Sequence, residues 1–421
     1  MLDIKFIRDN KEKVIKGLEK RLFKDIDLID QVLNLDEKRK KLLLEIEDIR
    51  AKRNIISKEK NIEEGKKIKE ELSKKEPELK EIEERFKEVL YKLPSVPLDD
   101  VPAGPEENKK VIKTVGKLKK FDFAPKDHLE LGIKLGMIDI ERASKVSGSR
   151  FAYLKGDGVL LELALINFAL EKLIKEGFTP VFPPMLIKKE ITEGLGYWQS
   201  DGNKNYYSVK DYEELSEGKE RELDLYLVGT GEHSLVPMHT DELLEEKDLP
   251  KKYVAFSSCF RREAGTYGKD TKGILRMHQF DKVEMVSLTK PEDSPEMHEK
   301  MLSISEELMK ELGIPYQVVI LAAGDIAYPL SKTYDIESFM PGQGRYRETH
   351  SVSTATDYQS RRLNIKFKSK DGNKYVHILN GTVFAIGRTI IAIMENYQNK
   401  DGSIIVPEVL RKWVGKDKIT S

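Results

Sequence analysis

The spacing of apolar positions divides the chain into two regimes. In the first, the period is seven. Leu28, Leu35, Leu42, Ile49 and Ile56 recur at that interval, with Val32 and Ile46 at the second seam position. A second run sets Leu72, Leu79, Phe86 and Leu93 seven apart, accompanied by Ile68, Ile82 and Val89. Two such runs joined by the polar stretch Asn61 to Gly65 predict an antiparallel helical hairpin, each arm of about 30 residues reaching roughly 45 Å. Pro77 inside the second run predicts a kink or a restart. Arg39 and Arg53 fall on the second seam, where they either weaken the pairing or lay their stems along it. Ahead of the arm, residues 1 to 24 read as short helix, with Asp9-Asn10 as a helix start.

Beyond residue 105 the pattern shortens. Pro94, Pro97, Pro102 and Pro105 cannot continue a helix and mark a linker. Helix-like segments follow at 125–136, 139–146 and 158–177, then a short strand from Phe178 that ends in Pro183-Pro184. Strand patterns dominate afterwards: 223–228, 253–260, 280–287, 316–321, 332–339, 348–355 and 364–367, with helices at 291–312 and 383–397. Strands that follow one another with few crossover helices predict an antiparallel sheet in an α+β domain. The division expected is 1–108 for the helical hairpin (arm about 27–93) with its linker, and 109–421 for the sheet domain.

Composition narrows the class. Lysine plus arginine equals aspartate plus glutamate at 73 each, so no global field draws nucleic acid and basic patches must be local. Lys38, Arg39, Lys40, Lys41, Arg50, Lys52, Arg53, Lys58 and Lys60 enrich the first arm helix, either as a solvated face or as a nucleic-acid contact. A single cysteine, Cys259, excludes an intrachain disulfide framework and a cysteine-rich zinc site, so no structural zinc is expected. The N-terminus is charged from Asp3, unlike a secretory signal, and the apolar stretch 159–170 is too short to span a bilayer. A cytoplasmic, membrane-free protein is the expectation.

The chemistry concentrates in Phe260-Arg-Arg-Glu-Ala-Gly-Thr-Tyr-Gly-Lys-Asp-Thr-Lys-Gly-Ile-Leu-Arg-Met-His-Gln-Phe280, continuing to Glu284. Arg261, Arg262, Lys269, Lys272 and Arg276 lie among glycines between two strands. That arrangement suits a polyanion, since guanidinium forks match phosphate and carboxylate oxygens; a solvated charged hairpin is the plainer reading. Neither a P-loop nor a G-x-G-x-x-G turn occurs at a strand end, so a nucleotide would rest on side chains and sheet backbone. Glu348 and Ser351 offer hard oxygens for a divalent cation beside a triphosphate, unless Glu348 pairs with Arg345 or Arg347. Arg388, among Ile386, Ile390 and Ile391, demands an anion, whether a protein carboxylate or a phosphate.

These segments resemble the seryl-tRNA synthetases, a class II aminoacyl-tRNA synthetase family. Arg261-Arg-Glu263 through His278-Gln-Phe280 is similar to the family's motif 2 (about 253–284). Residues 159–185, ending Phe178 to Met185, are similar to motif 1, whose proline lies at a dimer interface. Asn380-Gly-Thr-Val-Phe-Ala-Ile-Gly-Arg-Thr389, with Glu395-Asn-Tyr-Gln and Val406-Pro-Glu-Val-Leu410, is similar to motif 3 (about 379–410). The likeness extends to Arg53-Asn54 with Ser57-Lys58 in the arm, Val101-Pro102 with Asn108 in the linker, and Phe121-Asp-Phe with Pro125-Lys-Asp-His128.

The resemblance implies ATP-dependent activation of L-serine and its transfer to the 3′ end of the serine tRNA, leaving the selenocysteine tRNA open. It implies a homodimer with the hairpin reaching the tRNA through Arg50, Arg53, Asn54 and Lys58. Arg261 would bridge the serine carboxylate and the α-phosphate, and Arg261, Glu348 and Arg388 would carry catalysis. Thr230, Gly231, Glu232, Glu284, Asn380 and Thr382 would bind serine, Glu284 taking the ammonium group. Arg262, Glu263, Met277, Phe280, Thr349, His350, Ser351 and Arg388 would hold ATP, with Phe280 and Arg388 on opposite faces of adenine. Mg²⁺ would sit with ATP on Glu348 and Ser351, and Lys269 and Lys272 would meet the tRNA acceptor end. A non-catalytic or carrier-protein-directed paralogue is the alternative. The chain departs from the family in several places. Gly229-Thr-Gly-Glu-His233 replaces the usual Pro-Thr-Ala-Glu-Val, leaving His233 as either a loop cap or a group near the amino acid. Ser351-Val-Ser-Thr354 replaces Ser-Cys-Ser-Asn, and 198–222 is longer than usual and reads as an extra flap.

Overall fold

The seven-residue spacing folds into two long helices whose apolar edges face each other. The computed structural model describes residues 1–59, 61–197, 202–214, 220–264 and 272–421; Lys60, Lys269 and part of the 198–222 stretch lie outside them. α1 (Ile4–Asp9) and α2 (Lys11–Lys20) precede α3 (Leu28–Glu59) and α4 (Ile62–Tyr91). Leu42, Ile46 and Ile49 of α3 pack on Ile68 and Leu72 of α4 as a separate apolar cluster along the arm.

Two expectations for the hairpin fail. The polar run is not the turn: Asn61 is already the cap of α4, its side chain accepting from the Glu64 amide at 3.2 Å, and Gly65 lies inside the helix. Nor does Pro77 restart α4, which is continuous through it. The residues before the proline brace it across the hairpin, Lys75 on Glu45 at 2.5 Å and Glu76 on Arg50 at 2.8 Å. These partners hold the turn where proline removes one backbone donor.

At the base of the arm, α1 to α4 share a second core with Tyr358 of the catalytic body. One charge enters it: the Asp36 carboxylate is buried and held by Arg8, by Arg39 at 3.0 Å and by Lys40 at 3.1 Å. Arg39 also lies over Phe86, 4.7 Å from the ring centre, so the seam arginine stacks instead of weakening the pairing. Arg21 fastens this base to the body, donating to the carbonyls of Ser95 (3.1 Å), Leu330 (2.7 Å), Ile326 (2.6 Å) and Ala327 (2.9 Å).

The body is an eight-stranded sheet: β1 (Lys110–Val115), β2 (Thr179–Val181), β3 (Lys251–Phe260), β4 (Gln279–Thr289), β5 (Tyr316–Ile320), β6 (Lys332–Met340), β7 (Arg345–Thr356) and β8 (His377–Ala385). Their order is β1-β5-β6-β7-β8-β4-β3-β2. The pairs are antiparallel as expected, except β2 on β3, which is parallel. Residues 383–385, expected to open a helix, end β8 instead. Between these strands, α5 (Asp157–Lys175), α6 (Lys189–Leu195), α7 (Glu232–Leu235), α8 (Ser294–Glu311), α9 (Tyr358–Arg362) and α10 (Ile386–Asn396) are inserted. The main core lies between one sheet face and α5, α8 and α10, through residues such as Leu161, Leu165, Phe384, Ile390 and Met301. The other face of β3, β4 and β8 carries a further apolar cluster, with Ala255, Val286, Leu288 and Ile378, beside polar side chains such as Lys282, Glu284 and Thr382.

Asp36 supplies a test of the arm base. Asp36→Ala strands Arg8 and Arg39, both partly exposed, and should lower unfolding free energy by about 2 kcal/mol. Burial raises the Asp36 carboxyl pKa, but its bonds to Lys40 and Arg8 outweigh this and hold it below the usual range. A depressed pKa gives stability that is present at neutral pH and lost as pH falls through the folded value. Denaturant titrations of both proteins should therefore converge in acid; a gap that is constant with pH would contradict this.

Candidate active site

Side chains two apart on a strand share a face, so β4 turns Phe280, Lys282 and Glu284 to the same side. Thr382 stands opposite Glu284 across the β4–β8 pair, its hydroxyl donating to Glu284 Oε2 at 3.4 Å. Lys282 and Glu284, 6% and 2% exposed, form an ion pair. Sequence reasoning passed over Lys282, although its place between Phe280 and Glu284 in a period-two pattern was visible.

β7 needs more than alternation. Glu348 and Ser351 are three apart and would face opposite sides of a regular strand. His350 pairs with Ile336 and Glu348 with Glu337, so Thr349 is an extra residue, a bulge that returns Glu348 to the face of Ser351 and Ser353. The same bulge turns Thr349 and His350 inward. Thr349 bonds to Ser338 at 2.8 Å, and His350 packs on Phe384 with ring centres 5.6 Å apart. Their side chains are thus directed into the core, away from the cleft assigned to ATP.

The two carboxylate-rich strands and the loop 229–233 enclose a cavity of about 910 Å³. Thr230, Glu232, Glu284, Asn380, Thr382, Arg261, Glu348 and Ser351 line it, so most predicted serine and phosphate contacts converge. Arg21 to Asp25 and Pro94 form part of its wall, which the sequence did not suggest. Gly231 has a packing reason: a Cβ there would stand 3.2 Å from Glu284 Cβ. An adjoining cavity of about 150 Å³ lies among Met277, Phe280, Glu263, Gly387 and Arg388. Arg262 is exposed and lines neither space.

Arg388, Arg276 and Lys282 in the cleft are already paired with carboxylates. Arg388 meets the Glu348 carboxylate at 2.9 Å and its carbonyl at 3.1 Å, which decides the partner of both residues. The neighbour Arg347 instead donates to Gln343. Burial raises the Glu348 carboxyl pKa, yet Arg388, with Arg261 and Arg276 behind it, draws it below the usual range. Arg276 holds Glu263 at 2.6 Å. Arg261 stands over Phe280 at 5.4 Å from the ring centre, and donates to the Gly229 carbonyl at 3.0 Å. Lys272 is exposed and pairs with Asp127 at 2.5 Å. In the arm, Arg50 bonds Glu76, while Arg53, Asn54 and Lys58 are exposed.

His233 caps the loop and also lines the cavity: it is buried, and Nδ1 accepts from the Gly229 amide at 3.2 Å. Burial, aided by Arg261 and Lys282, lowers its pKa to about 3, so the ring stays neutral. Glu232 is buried too, and burial lifts its carboxyl to about 7, with Gln359 and Tyr197 opposing the rise and Glu284 adding to it. Asp335, across from Ser351, is a further acid the sequence did not single out; its Oδ1 has no hydrogen-bond partner and burial raises its pKa.

An antiparallel sheet carrying paired arginines and carboxylates on one open face defines a class II tRNA synthetase core. Residues 207–397 match the tRNA synthetase class II core domain (G, H, P, S and T), and residues 1–97 match the seryl-tRNA synthetase N-terminal domain. The serine–tRNA ligase of Caldicellulosiruptor bescii is 48% identical over 434 aligned positions, covering 100% of both chains. The seryl-tRNA synthetase of Pyrococcus horikoshii, solved in complex with ATP, superposes with a TM-score of 0.90 at 40% identity, covering 100% of this chain and 99% of that one. The cytoplasmic serine-tRNA ligase of Naegleria fowleri with AMP gives the same TM-score, 0.90, at 33% identity, covering 100% and 99%. The chain belongs to the seryl-tRNA synthetase family.

The buried pair makes its own prediction. Lys282→Met leaves Glu284 as an uncompensated buried charge and should cost about 3 kcal/mol of unfolding free energy. Adding Glu284→Gln should recover most of that loss in thermal or urea unfolding. Equal destabilisation in the single and double variants would show that the charge pairing is not the cause.

Proposed function

We propose that this cleft joins serine to ATP as seryl-adenylate and then passes the seryl group to the 3′ end of the serine tRNA. The observation that carries the reading is the buried cage of Thr230, Glu232, Glu284 and Thr382, beside open Arg261, Glu348 and Arg388. The cage has two carboxylates for an ammonium group and a hydroxyl set for a serine side chain. A site built around such polar groups rejects alanine because they would be left buried and unpaired. Arg261, at the mouth between the two cavities, bridges the serine carboxylate and the α-phosphate as charge builds on it. Phe280, Met277 and Arg388 supply the adenine slot, where the Glu263 carboxylate is near enough to receive the amino group once Arg276 shifts to phosphate. Holding both reactants in one cleft supplies the orientation that the bimolecular step lacks in water.

The donor set suits Mg²⁺ bound with ATP: Glu348 and Ser351 share a face through the bulge, and hard oxygens are what that ion takes. No group of three or more acidic, histidine or cysteine ligands that could hold a metal ion occurs among the described residues. Such an ion offsets phosphate charge when present. Glu348 would leave Arg388 for it, freeing the guanidinium for the nucleotide.

Exposed Phe182, 81% accessible, with Leu186, Leu163 and Val159, supports a homodimer across the motif 1 face. The exposed Arg53, Asn54 and Lys58 support the arm as the tRNA contact. No helix of the described residues is long and apolar enough to cross a membrane. Nothing in the cleft favours a carrier-protein substrate over tRNA.

Serine-dependent exchange of pyrophosphate into ATP tests the reading, with alanine and threonine as controls. Exchange with serine alone is expected, and its absence would overturn the assignment. Arg388→Ala removes both a wall of the adenine slot and the Glu348 counter-charge; kcat/KM for ATP should fall about 100-fold. Arg53→Glu with Lys58→Glu should weaken tRNA binding by at least about tenfold at low salt, less at high salt, in filter binding.

A further inference from the structure

Glu232 is surrounded by residues that the family motifs do not include. Tyr197, directly after α6, places its hydroxyl 3.0 and 2.9 Å from the two Glu232 oxygens. Gln359 on α9 donates its amide to Glu232 Oε1 at 2.8 Å and reaches the Leu195 carbonyl at 3.4 Å. His233 lies between two rings: Tyr197 at 5.2 Å and Tyr206 at 5.6 Å between centres. Tyr206 abuts Tyr226 edge-on at 6.4 Å.

We infer that Tyr197, Gln359 and His233 are positioning residues for serine recognition, a cage that fixes the Glu232 carboxylate toward the cavity in its ionised form. This rests on the proposed serine activation and adds how one of its anions is held. Each member has a distinct part. Tyr197 and Gln359 supply the hydrogen bonds to the carboxylate, which strengthen when the acceptor is charged. His233 supplies none to Glu232. As a neutral ring tilted against Tyr197, stacked on Tyr206 and capping the Gly229 amide, it holds the tyrosine against rotation and ties it to the serine loop. The base of the cage is rigid, because α9 is pinned by the Tyr358 hydroxyl on the Leu93 carbonyl at 2.8 Å and by Arg362 stacked over Tyr91 at 3.8 Å.

The groups facing Glu232 fix the direction of its pH response. Glu284 on β4 repels its charge, Lys282 on β4 attracts it, and Tyr197 and Gln359 donate to it; His233 stays neutral. Burial has brought the carboxyl to about 7, so removing either donor moves its titration upward. Serine affinity must then be lost at a higher pH as acid is added.

The test is the pH profile of serine-dependent pyrophosphate exchange for the full chain and for Tyr197→Phe, which keeps the stacking ring. We expect KM for serine to rise about tenfold at neutral pH, kcat to change little, and the acid limb of kcat/KM for serine to move to higher pH. Gln359→Leu should shift the limb in the same direction. His233→Val should raise KM for serine several-fold with the limb displaced less. A Tyr197→Phe enzyme that loses kcat or melting temperature while its limb and KM stay in place would overturn the cage, reducing these residues to packing. A wild-type chain without serine-dependent exchange would instead overturn the proposed function, and the cage with it.

Discussion

A charged group inside a sheet must bring its partner with it, and the catalytic half of this molecule is arranged around that requirement. Lys282 and Glu284 are buried on one face of β4, where either alone would be intolerable. The partner charge sits two residues along the same strand, so the pleat itself does the pairing. Around it the same logic repeats with less burial: Arg388 against Glu348, Arg276 against Glu263. Arg388 and Arg276 each have a carboxylate stand-in before ATP arrives, while Arg261 rests on the Gly229 carbonyl and the Phe280 ring. Binding becomes an exchange of anions, which keeps the unliganded cleft folded and leaves its arginines already aimed.

The features legible in the sequence are those that depend on local period or on a short ordered motif. The heptads of the arm, the strands from 251 onward, and the convergence of Arg261, Glu284, Thr382 and Arg388 all follow from patterns a few residues long. What escaped notice depends on partners far apart in the chain. Asp36 reads as one more surface acid until α1 brings Arg8 over it. Tyr197 and Gln359 are anonymous until two loops fold onto Glu232. Proline rules pointed to a kink or a restart at Pro77, and they count only the lost backbone bond and the ring clash. The opposing helix, through Glu45 and Arg50, supplies what those rules omit.

The two halves of the molecule also share walls. Arg21 donates to four carbonyls, three of them in the segment 326–330 that lines the cleft. The helical base of the arm is thereby part of the vessel in which the small molecules sit. Tyr358 and Gln359, adjacent in α9, face opposite ways, one to the arm base and the other to Glu232. A load applied along the arm has a short mechanical route to the amino-acid cage, through elements too tightly packed to absorb it.

The bulge at Thr349 carries a different consequence. Thr349 itself contributes no side chain to the cleft; its value lies in being counted. Excision of that one residue would leave Glu348 and Ser351 two apart on a strictly alternating β7, still on one face of the sheet. Straightening the strand without shortening it would instead set the two on opposite faces. What the site depends on along this strand, then, is the match between residue count and bulge, more than the side chain at position 349.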